Sequence, residues 1–291
     1  QRVLVIGGGI AGMQAALTAS ENGHDVVLCE KSGELGGKIL CESEVPFKRG
    51  LHDYILLQRV LLAKAGIDLR LNTEVTPEYA RKERPDVIIA AVGSEPMIPN
   101  IPGINMRNVY QAIDVFKNPS LAKGSVVILG AGFVGTELAI YLKDFGIDAQ
   151  IVEMLADIND GGNSTHKNAV FDMITQKNIR IHFNTEAVEI TEEGVKCHAP
   201  DGEVFFKTDT VIYAAGMRPH HDEALKFSRC SKDFHRRMPE GREYPFCDKH
   251  RLRGLKADRE ILIPLKRNLR TNAIGRAAKR KFNSRPILLV L

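Results

Sequence analysis

The chain has 291 residues, of which 44% are hydrophobic and 26% charged, with 25 glycines and no tryptophan. This composition is typical of a globular chain of about two domains and excludes collagen-like, coiled-coil and disulfide-scaffold classes. The net charge of +4 conceals an asymmetry, because residues 1–230 carry −7 and residues 231–291 carry +11. No apolar run approaches the ~18–20 residues of a membrane span, and a strand with a glycine loop from the third residue onward predicts no signal peptide.

The first elements of the chain predict a strand, a glycine loop, a helix and a second strand. Val3–Ile6 is apolar without alternation, as in a buried parallel strand. A helix over about 11–22 ends at Gly23, and a strand over 26–30 ends in Glu30. Further along we expect a helix over 53–65, strands near 69–71 and 87–91, and a proline-containing linker over 100–120.

The sequence then repeats itself. VLVIGGGIAG at 3–12 returns as VVILGAGFVG at 126–135, which sets Gly7 and Gly130 123 residues apart. The same offset relates five further pairs, namely Gly23 with Gly146, Glu30 with Glu153, Asp86 with Asp209, Gly93 with Gly216 and Pro96 with Pro219. LNTE at 71–74 returns as FNTE at 183–186, with an offset of 112. We therefore predict two homologous α/β units. The second has strands at 126–129, 149–153, 180–183 and 210–214, and helices at 133–145 and 167–176.

Each unit carries the fingerprint G-x-G-x-x-G after its first strand. The glycines are Gly7, Gly9 and Gly12 in the first unit and Gly130, Gly132 and Gly135 in the second. The first glycine permits a tight turn, the second lets a pyrophosphate approach the backbone, and the third lets the helix pack on the strand. The pattern predicts dinucleotide binding at both loops. The alternative for each is a glycine-rich turn without a ligand.

An acidic residue stands at the expected distance from each loop. Glu30 and Glu153 each lie 23 residues after the first glycine, where a carboxylate can accept hydrogen bonds from ribose hydroxyls. A solvated acid at a strand end is the alternative for either one. No Arg or Lys follows directly after Glu153 to pair with a 2′-phosphate, so NADH is favoured over NADPH.

Two such units in tandem resemble the flavoproteins that bind FAD first and a nicotinamide cofactor second. Gly36 and Gly37 lie in GELGG, which resembles the glycine pair that runs along FAD in those proteins. Gly93 and Gly216 lie in AAVGSEP and AAGMRP, which resemble the segments that leave the two nucleotide domains. Glu137 stands where disulfide-reductase relatives carry a Glu near the nicotinamide–flavin contact, although an acid near a helix N-terminus is the alternative. The resemblance implies two Rossmann-like, doubly wound α/β domains.

Within that superfamily the chain resembles the C-terminal half of the NADH:flavin oxidoreductases related to 2,4-dienoyl-CoA reductase, enoate reductase and trimethylamine dehydrogenase. The stretches that carry the resemblance are VLVIGGGIAGM, LGGKI, RGLHDYILLQR, AGIDLRLNTEVT and DVIIAAVGSEP, and it covers about 1–235. It implies an FAD-dependent NAD(P)H oxidoreductase module that passes hydride from NADH to FAD. Intact relatives add a barrel with FMN and an iron–sulfur cluster, so the electron acceptor is either such a barrel or a separate molecule.

The resemblance also implies the domain boundaries. We expect an FAD domain at 1–110, an inserted NAD(P) domain at 120–218 and a return toward the FAD domain at 219–235. A basic, atypical tail occupies 236–291. It lacks the Gly-Asp pair that follows in the family and that binds the ribityl chain of the flavin.

Codons that can encode the residues near 241 spell a family-like sequence when they are read in another frame. We therefore hypothesise that the tail is frameshifted. The alternatives are a disordered extension and an arm for polyanions. The second is disfavoured because the basic residues follow no helical face, so neither a nucleic-acid partner nor a membrane partner is expected. The alternative function is a truncated, catalytically impaired nucleotide-binding remnant.

The five cysteines form no C-x-x-C pair, which argues against a zinc site and a redox dithiol and favours a cytoplasmic location. Cys41 alone is interpreted as a small buried or partly exposed residue. No catalytic side chain and no metal are assigned, because the cofactors supply the hydride chemistry.

Overall fold

A computed structural model describes residues 1–158, 163–228 and 230, together with the backbone of 287–290. The chain divides into two compact units. Unit 1 comprises 1–40, 50–93 and the described residues from 219 onward, and unit 2 comprises 41–49 and 94–218. The frameshift hypothesis and the position of the missing Gly-Asp pair lie outside the described residues, apart from the short segment 287–290.

The described residues contain the following elements in chain order. The strands are β1 (Arg2–Ile6), β2 (Asp25–Cys29), β3 (Asp68–Arg70), β4 (Val87–Ala90), β5 (Ser94–Pro96), β6 (Val109–Gln111), β7 (Val126–Leu129), β8 (Ala149–Val152), β9 (Ile181–His182), β10 (Glu186–Thr191), β11 (Gly194–Ala199), β12 (Gly202–Lys207), β13 (Thr210–Tyr213), β14 (Met217–Pro219) and β15 (Ile287–Val290). The helices are α1 (Ile10–Glu21), α2 (Arg49–Lys64), α3 (Pro77–Glu83), α4 (Ala112–Lys117), α5 (Phe133–Asp144), α6 (Ser164–Gln176) and α7 (His221–Leu225).

Unit 1 is organised around a parallel five-stranded sheet in the order β15-β4-β1-β2-β3. Because successive side chains of a strand point to opposite faces, β1 contributes to two cores. Val3 and Val5 pack with α1 on one face, and Leu4 and Ile6 pack with residues of α3 and α7 on the other. Both faces are therefore covered, which explains why the strands lack polar alternation.

Unit 2 is organised around a second parallel five-stranded sheet, in the order β6-β13-β7-β8-β9. Val126 and Ile128 of β7 face the core shared with α4, α5 and α6. Val127 and Leu129 face an antiparallel sheet of β10, β11 and β12. Residues 41–49 join this unit because Cys41 and Val45 are buried in its helical core.

The structure differs from the sequence-based expectations in several places, including the following three. The expected linker over 100–120 contains β6 and α4, and β6 is the edge strand of the unit 2 sheet. Helix α2 begins four residues before its expected start at Asp53, directly after a short turn over 46–48. The antiparallel sheet β10–β12 was not expected at all.

Candidate functional site

The first glycine loop joins β1 to α1 and leaves no room for side chains at two of its three glycines. Gly7 has a φ of +103°, and a Cβ there would lie 2.3 Å from the carbonyl oxygen of Ala91. A Cβ at Gly12 would lie 1.8 Å from the carbonyl oxygen of Gly7. At Gly9 the nearest atom is 3.9 Å away, so that position borders open space. The loop is therefore closed toward the sheet and open where a phosphate would approach.

The second loop, between β7 and α5, reproduces this arrangement. Gly130 has a φ of +109°, and its Cβ would lie 2.7 Å from the carbonyl oxygen of Ala214. A Cβ at Gly135 would lie 2.0 Å from the carbonyl oxygen of Gly130. Gly132 has no atom within 4 Å of its Cβ position. An open position that a side chain would fill, of the size and place that a pyrophosphate needs, is thus present in both units.

The helix that follows each loop presents an N-terminus suited to an anion. Gly9 and Gly132 are the N-cap residues of α1 and α5, and neither helix has a side-chain cap or an acidic residue in its first turn. The N–H groups of each first turn are consequently not bonded by a capping side chain or by an acidic residue of that turn. Phosphate oxygens are the ligands that such a terminus accepts.

Glu30 and Glu153 hold the two loops in the same way. Oε2 of Glu30 accepts from the N–H of Gly8 at 2.6 Å, and Oε2 of Glu153 accepts from the N–H of Ala131 at 2.6 Å. Oε1 of each accepts at 2.8 Å from the N–H two residues further on, that of Ser32 or Leu155. Both glutamates are buried, with 8% and 6% of their surface exposed. The solvated-acid interpretation is therefore wrong for both.

The two carboxylates keep capacity for a ligand. A carboxylate has about four acceptor positions. Glu153 accepts the two backbone N–H groups, and Glu30 accepts in addition the hydroxyl of Ser32 at 2.8 Å. Each carboxylate can therefore accept a further hydrogen bond from a ribose hydroxyl while it fixes its glycine loop.

The remaining predicted glycines lie in two different places. Gly36 donates its N–H to the carbonyl of Gly8 at 2.9 Å, and Gly37 lies next to Gly9, so this pair lines the first loop. Gly93 and Gly216 follow β4 and β13 and adopt positive φ values of +75° and +99°. They lead into the β5–β14 pair of short strands.

Glu137 lies two residues after Gly135 on α5 and is buried in a cluster of charged groups. Its Oε1 lies 2.8 Å from Nε2 of His166, and its Oε2 forms an ion pair with Lys48. Lys48 also pairs with Glu42 at 2.6 Å. Sequence reasoning missed Lys48 and His166, because they lie 89 residues before and 29 residues after Glu137.

Cys41 is buried in the core of unit 2, as the sequence interpretation allowed. Burial raises the pKa of its thiol to about 11, with the nearby carboxylate of Glu42 as the next cause. Such a thiol is a poor nucleophile at neutral pH. Cys29, Cys197 and Cys230 are also free and buried. Among the residues that the structure describes, no three His, Cys, Asp or Glu side chains are grouped to hold a metal ion.

This geometry defines a protein with two dinucleotide-binding units, and comparison with known proteins gives the family. Residues 1–233 match the family described as pyridine nucleotide-disulphide oxidoreductase. The chain belongs to this family, whose members are FAD- and NAD(P)-binding oxidoreductases.

Two relatives and one solved structure illustrate the similarity. The chain is 34% identical over 220 residues to the bilirubin reductase of Mediterraneibacter gnavus (strain CC55_001C), with 76% of this chain and 34% of the relative covered. It is 35% identical over 231 residues to the NADH oxidase of Thermoanaerobacter brockii, with 78% and 36% covered. The structure of 2-naphthoyl-CoA reductase in complex with 2-naphthoyl-CoA superposes with a TM-score of 0.73 at 28% identity, over 79% of this chain and 35% of that one.

The chain therefore spans about a third of the length of these relatives. The predicted relation to the dienoyl-CoA reductase and trimethylamine dehydrogenase group is confirmed, and so are the Rossmann-like fold class and the FAD-dependent NAD(P)H oxidoreductase class. The alternative of a non-catalytic remnant is not favoured. In the described part of the chain, no helix has the length and apolar character needed to cross a bilayer.

Proposed function

We propose that this chain is a reductase module in which unit 1 holds FAD and unit 2 holds NADH, and in which reducing equivalents pass from NADH to FAD. The bound cofactors supply the chemistry, since reduced nicotinamide is a hydride donor and FAD a hydride acceptor. The protein's task is to bind and orient them. This explains why the sequence offers no catalytic triad.

The proposal rests on one observation. Both units contain the same glycine loop, the same helix N-terminus without a side-chain cap, and a buried glutamate that accepts hydrogen bonds from the loop. In unit 1 the pyrophosphate of FAD would meet the open side of Gly9 and the N-terminus of α1, and Glu30 would accept from the ribose. Gly36 and Gly37 border the same loop, which supports a longer cofactor there. In unit 2 Gly132, α5 and Glu153 would meet the corresponding groups of NADH.

The choice of NADH over NADPH follows from the surroundings of Glu153. Its carboxylate is fixed by two backbone N–H groups, so it cannot rotate away from a 2′-phosphate. Negative charge at this position repels a phosphate group more strongly than a hydroxyl.

The acceptor beyond FAD belongs to the part of the relatives that this chain does not span. An FMN- and iron–sulfur-containing barrel, on the same polypeptide or on another, is the acceptor proposed from the family resemblance. The free, buried thiols of the described cysteines support a reducing, cytoplasmic location.

An anaerobic titration tests the proposal. The purified chain, supplied with FAD, should show the absorbance of bound flavin, and added NADH should bleach that band stoichiometrically. NADPH at the same concentration should bleach it more slowly. A chain that binds no flavin, or whose bound flavin stays oxidised with excess NADH, contradicts the proposal.

A further inference from the structure

Helix α2 carries apolar residues on two opposite faces. Its inward face includes Ile55 and Leu62, which are each 2% exposed, and Leu62 packs in the core of unit 1 with strands β1 and β2. A helix on the surface of a globular protein ordinarily presents polar residues on its outward face. The outward face of α2 instead presents four large aliphatic side chains that are 38–53% exposed, namely Leu56, Leu57, Val60 and Leu61.

These four side chains belong to one stripe along the helix. An α-helix turns by about 100° per residue, so steps of three and four residues keep side chains on the same side. Asp53 and Lys64 continue this spacing at the two ends of the stripe, and both are exposed. Contiguous exposed apolar surface of this kind marks an interaction site. We call the set the outward stripe, and its members are Asp53, Leu56, Leu57, Val60, Leu61 and Lys64.

The outward stripe has a symmetry that a second copy of the chain can use. Its six members form three pairs with one common midpoint, between residues 58 and 59, and the pairs are Asp53 with Lys64, Leu56 with Leu61, and Leu57 with Val60. A two-fold axis through that midpoint, perpendicular to the helix, places the two members of each pair opposite each other across the interface. Aliphatic residues then meet aliphatic residues at the centre, and opposite charges meet at both ends.

Only the antiparallel orientation gives this match. In a parallel pair each residue faces its own copy, so Asp53 would face Asp53 and Lys64 would face Lys64. Like charges repel at such a distance, whereas an exposed pair of opposite charges contributes a small attraction. A partner of another sequence would not require this internal symmetry. The arrangement of charges therefore favours a second copy of the chain, in the antiparallel orientation, as the occupant of the outward stripe.

We propose that the outward stripe is a self-association surface on which a second copy of the chain binds, with its α2 antiparallel to the first. The inference goes beyond the reductase function, since the stripe contains none of the residues of the glycine loops and neither of their glutamates. The stripe is only about three helical turns long, so it buries less than a standard interface of ~1,600 Å². We therefore expect a reversible dimer with a dissociation constant on the order of 10 μM.

Sedimentation equilibrium of the full chain, supplied with FAD, tests the surface. The wild-type chain should change from monomer to dimer over about a hundredfold range of concentration. Leu57→Glu places a charge against the apolar centre of the stripe and should raise the dissociation constant at least about tenfold. Phe171→Glu on α6 makes the same kind of change at a side chain of similar exposure, 50% against 53%, and should leave the dissociation constant unchanged. Circular dichroism checks that each variant is folded.

Charge variants test the orientation. Asp53→Lys and Lys64→Asp each bring like charges together at both ends of an antiparallel pair, so each should raise the dissociation constant about three- to tenfold. The combined variant exchanges the two charges and should restore the wild-type value. Both positions are exposed, so these variants keep the core of unit 1 intact even if Leu57→Glu does not fold.

A wild-type chain that remains monomeric over the whole range of concentration overturns the inference. So does a dimer that Leu57→Glu leaves unchanged, that Phe171→Glu weakens equally, or that the combined charge variant fails to restore.

Discussion

At the scale of single residues, the second and third glycines of each loop meet opposite surroundings. Gly132 has φ −71° and ψ 176°, an extended conformation that any residue adopts, and its Cβ position is empty. Gly135 faces the carbonyl oxygen of Gly130 at 2.0 Å from its Cβ position. The fold therefore requires Gly135, whereas Gly132 is required only by the proposed ligand.

This contrast predicts different outcomes for the same substitution. Gly135→Ala should lower the free energy of unfolding by about 1–3 kcal/mol, because the backbone of the loop must move away from the new methyl group. Gly132→Ala should cost less than about 1 kcal/mol, the difference expected at a helix N-cap. Urea unfolding of the two variants measures this, and equal losses in both would contradict the assignment.

The thiol of Cys41 gives a second prediction at this scale. Its pKa of about 11 leaves very little thiolate at pH 8, and its burial restricts access. Iodoacetamide should therefore modify Cys41 in the folded chain about a hundredfold more slowly than in the chain unfolded in urea. Mass spectrometry of the labelled peptides measures both rates. Fast labelling in the folded chain would show that the thiol is reactive after all.

At the scale of elements, the strand-end glutamates join β2 and β8 to the glycine loops and also face the expected ribose positions. Glu153→Gln should reduce the preference for NADH over NADPH about three- to tenfold, because the repulsion of the 2′-phosphate is weakened. Glu30→Gln loses the equivalent loop contact in unit 1 and serves as the matched control. Ratios of kcat/KM for the two cofactors measure the preference, and a similar shift in both variants would point to a general loss of structure.

The same elements show how far the sequence predicts the fold. β7 lies at its predicted bounds, and α1, α5 and β8 differ by a residue at their ends, because apolar runs bounded by glycines specify buried strands and capped helices. The antiparallel sheet was missed, although Pro200 and Asp201 form a two-residue turn between β11 and β12 and are followed by Gly202, a typical hairpin signal. The strand β6 has three residues and is recognisable only from its pairing with β13.

At the scale of the whole molecule, the internal repeat predicted the architecture better than any single motif. The hydrogen bonds from Gly8 and Ala131 to their glutamates are related by the same offset of 123 that relates the sequences. The assignment of residues to the two units was harder to predict from the sequence. Residues 41–49 belong to unit 2 because Cys41 and Val45 enter its core, a long-range packing choice that no local pattern encodes.

The charged groups around Glu137 illustrate the same limit. Glu137 was predicted from its place after the glycine motif, whereas Lys48 and His166 are brought to it from a turn before α2 and from α6. The repeat contained a signal, since His166 corresponds to Tyr54 at the offset of 112. This correspondence points to His166 as a partner of Glu137 only once the contact between Tyr54 and Gln14 is known, and only the structure shows that contact.

The central claim is that the first glycine loop holds the flavin and the second holds its reductant. Aspartate suits a helix N-cap but repels a pyrophosphate. Gly9→Asp and Gly132→Asp should therefore each prevent a dinucleotide from binding at one glycine loop while the chain stays folded. NADH is titrated anaerobically into both FAD-supplied variants while flavin absorbance and NADH binding are followed. We predict that Gly9→Asp loses flavin but still binds NADH, and that Gly132→Asp keeps an oxidised flavin that NADH no longer bleaches. The reverse pattern, or loss of both ligands in both folded variants, would contradict the account.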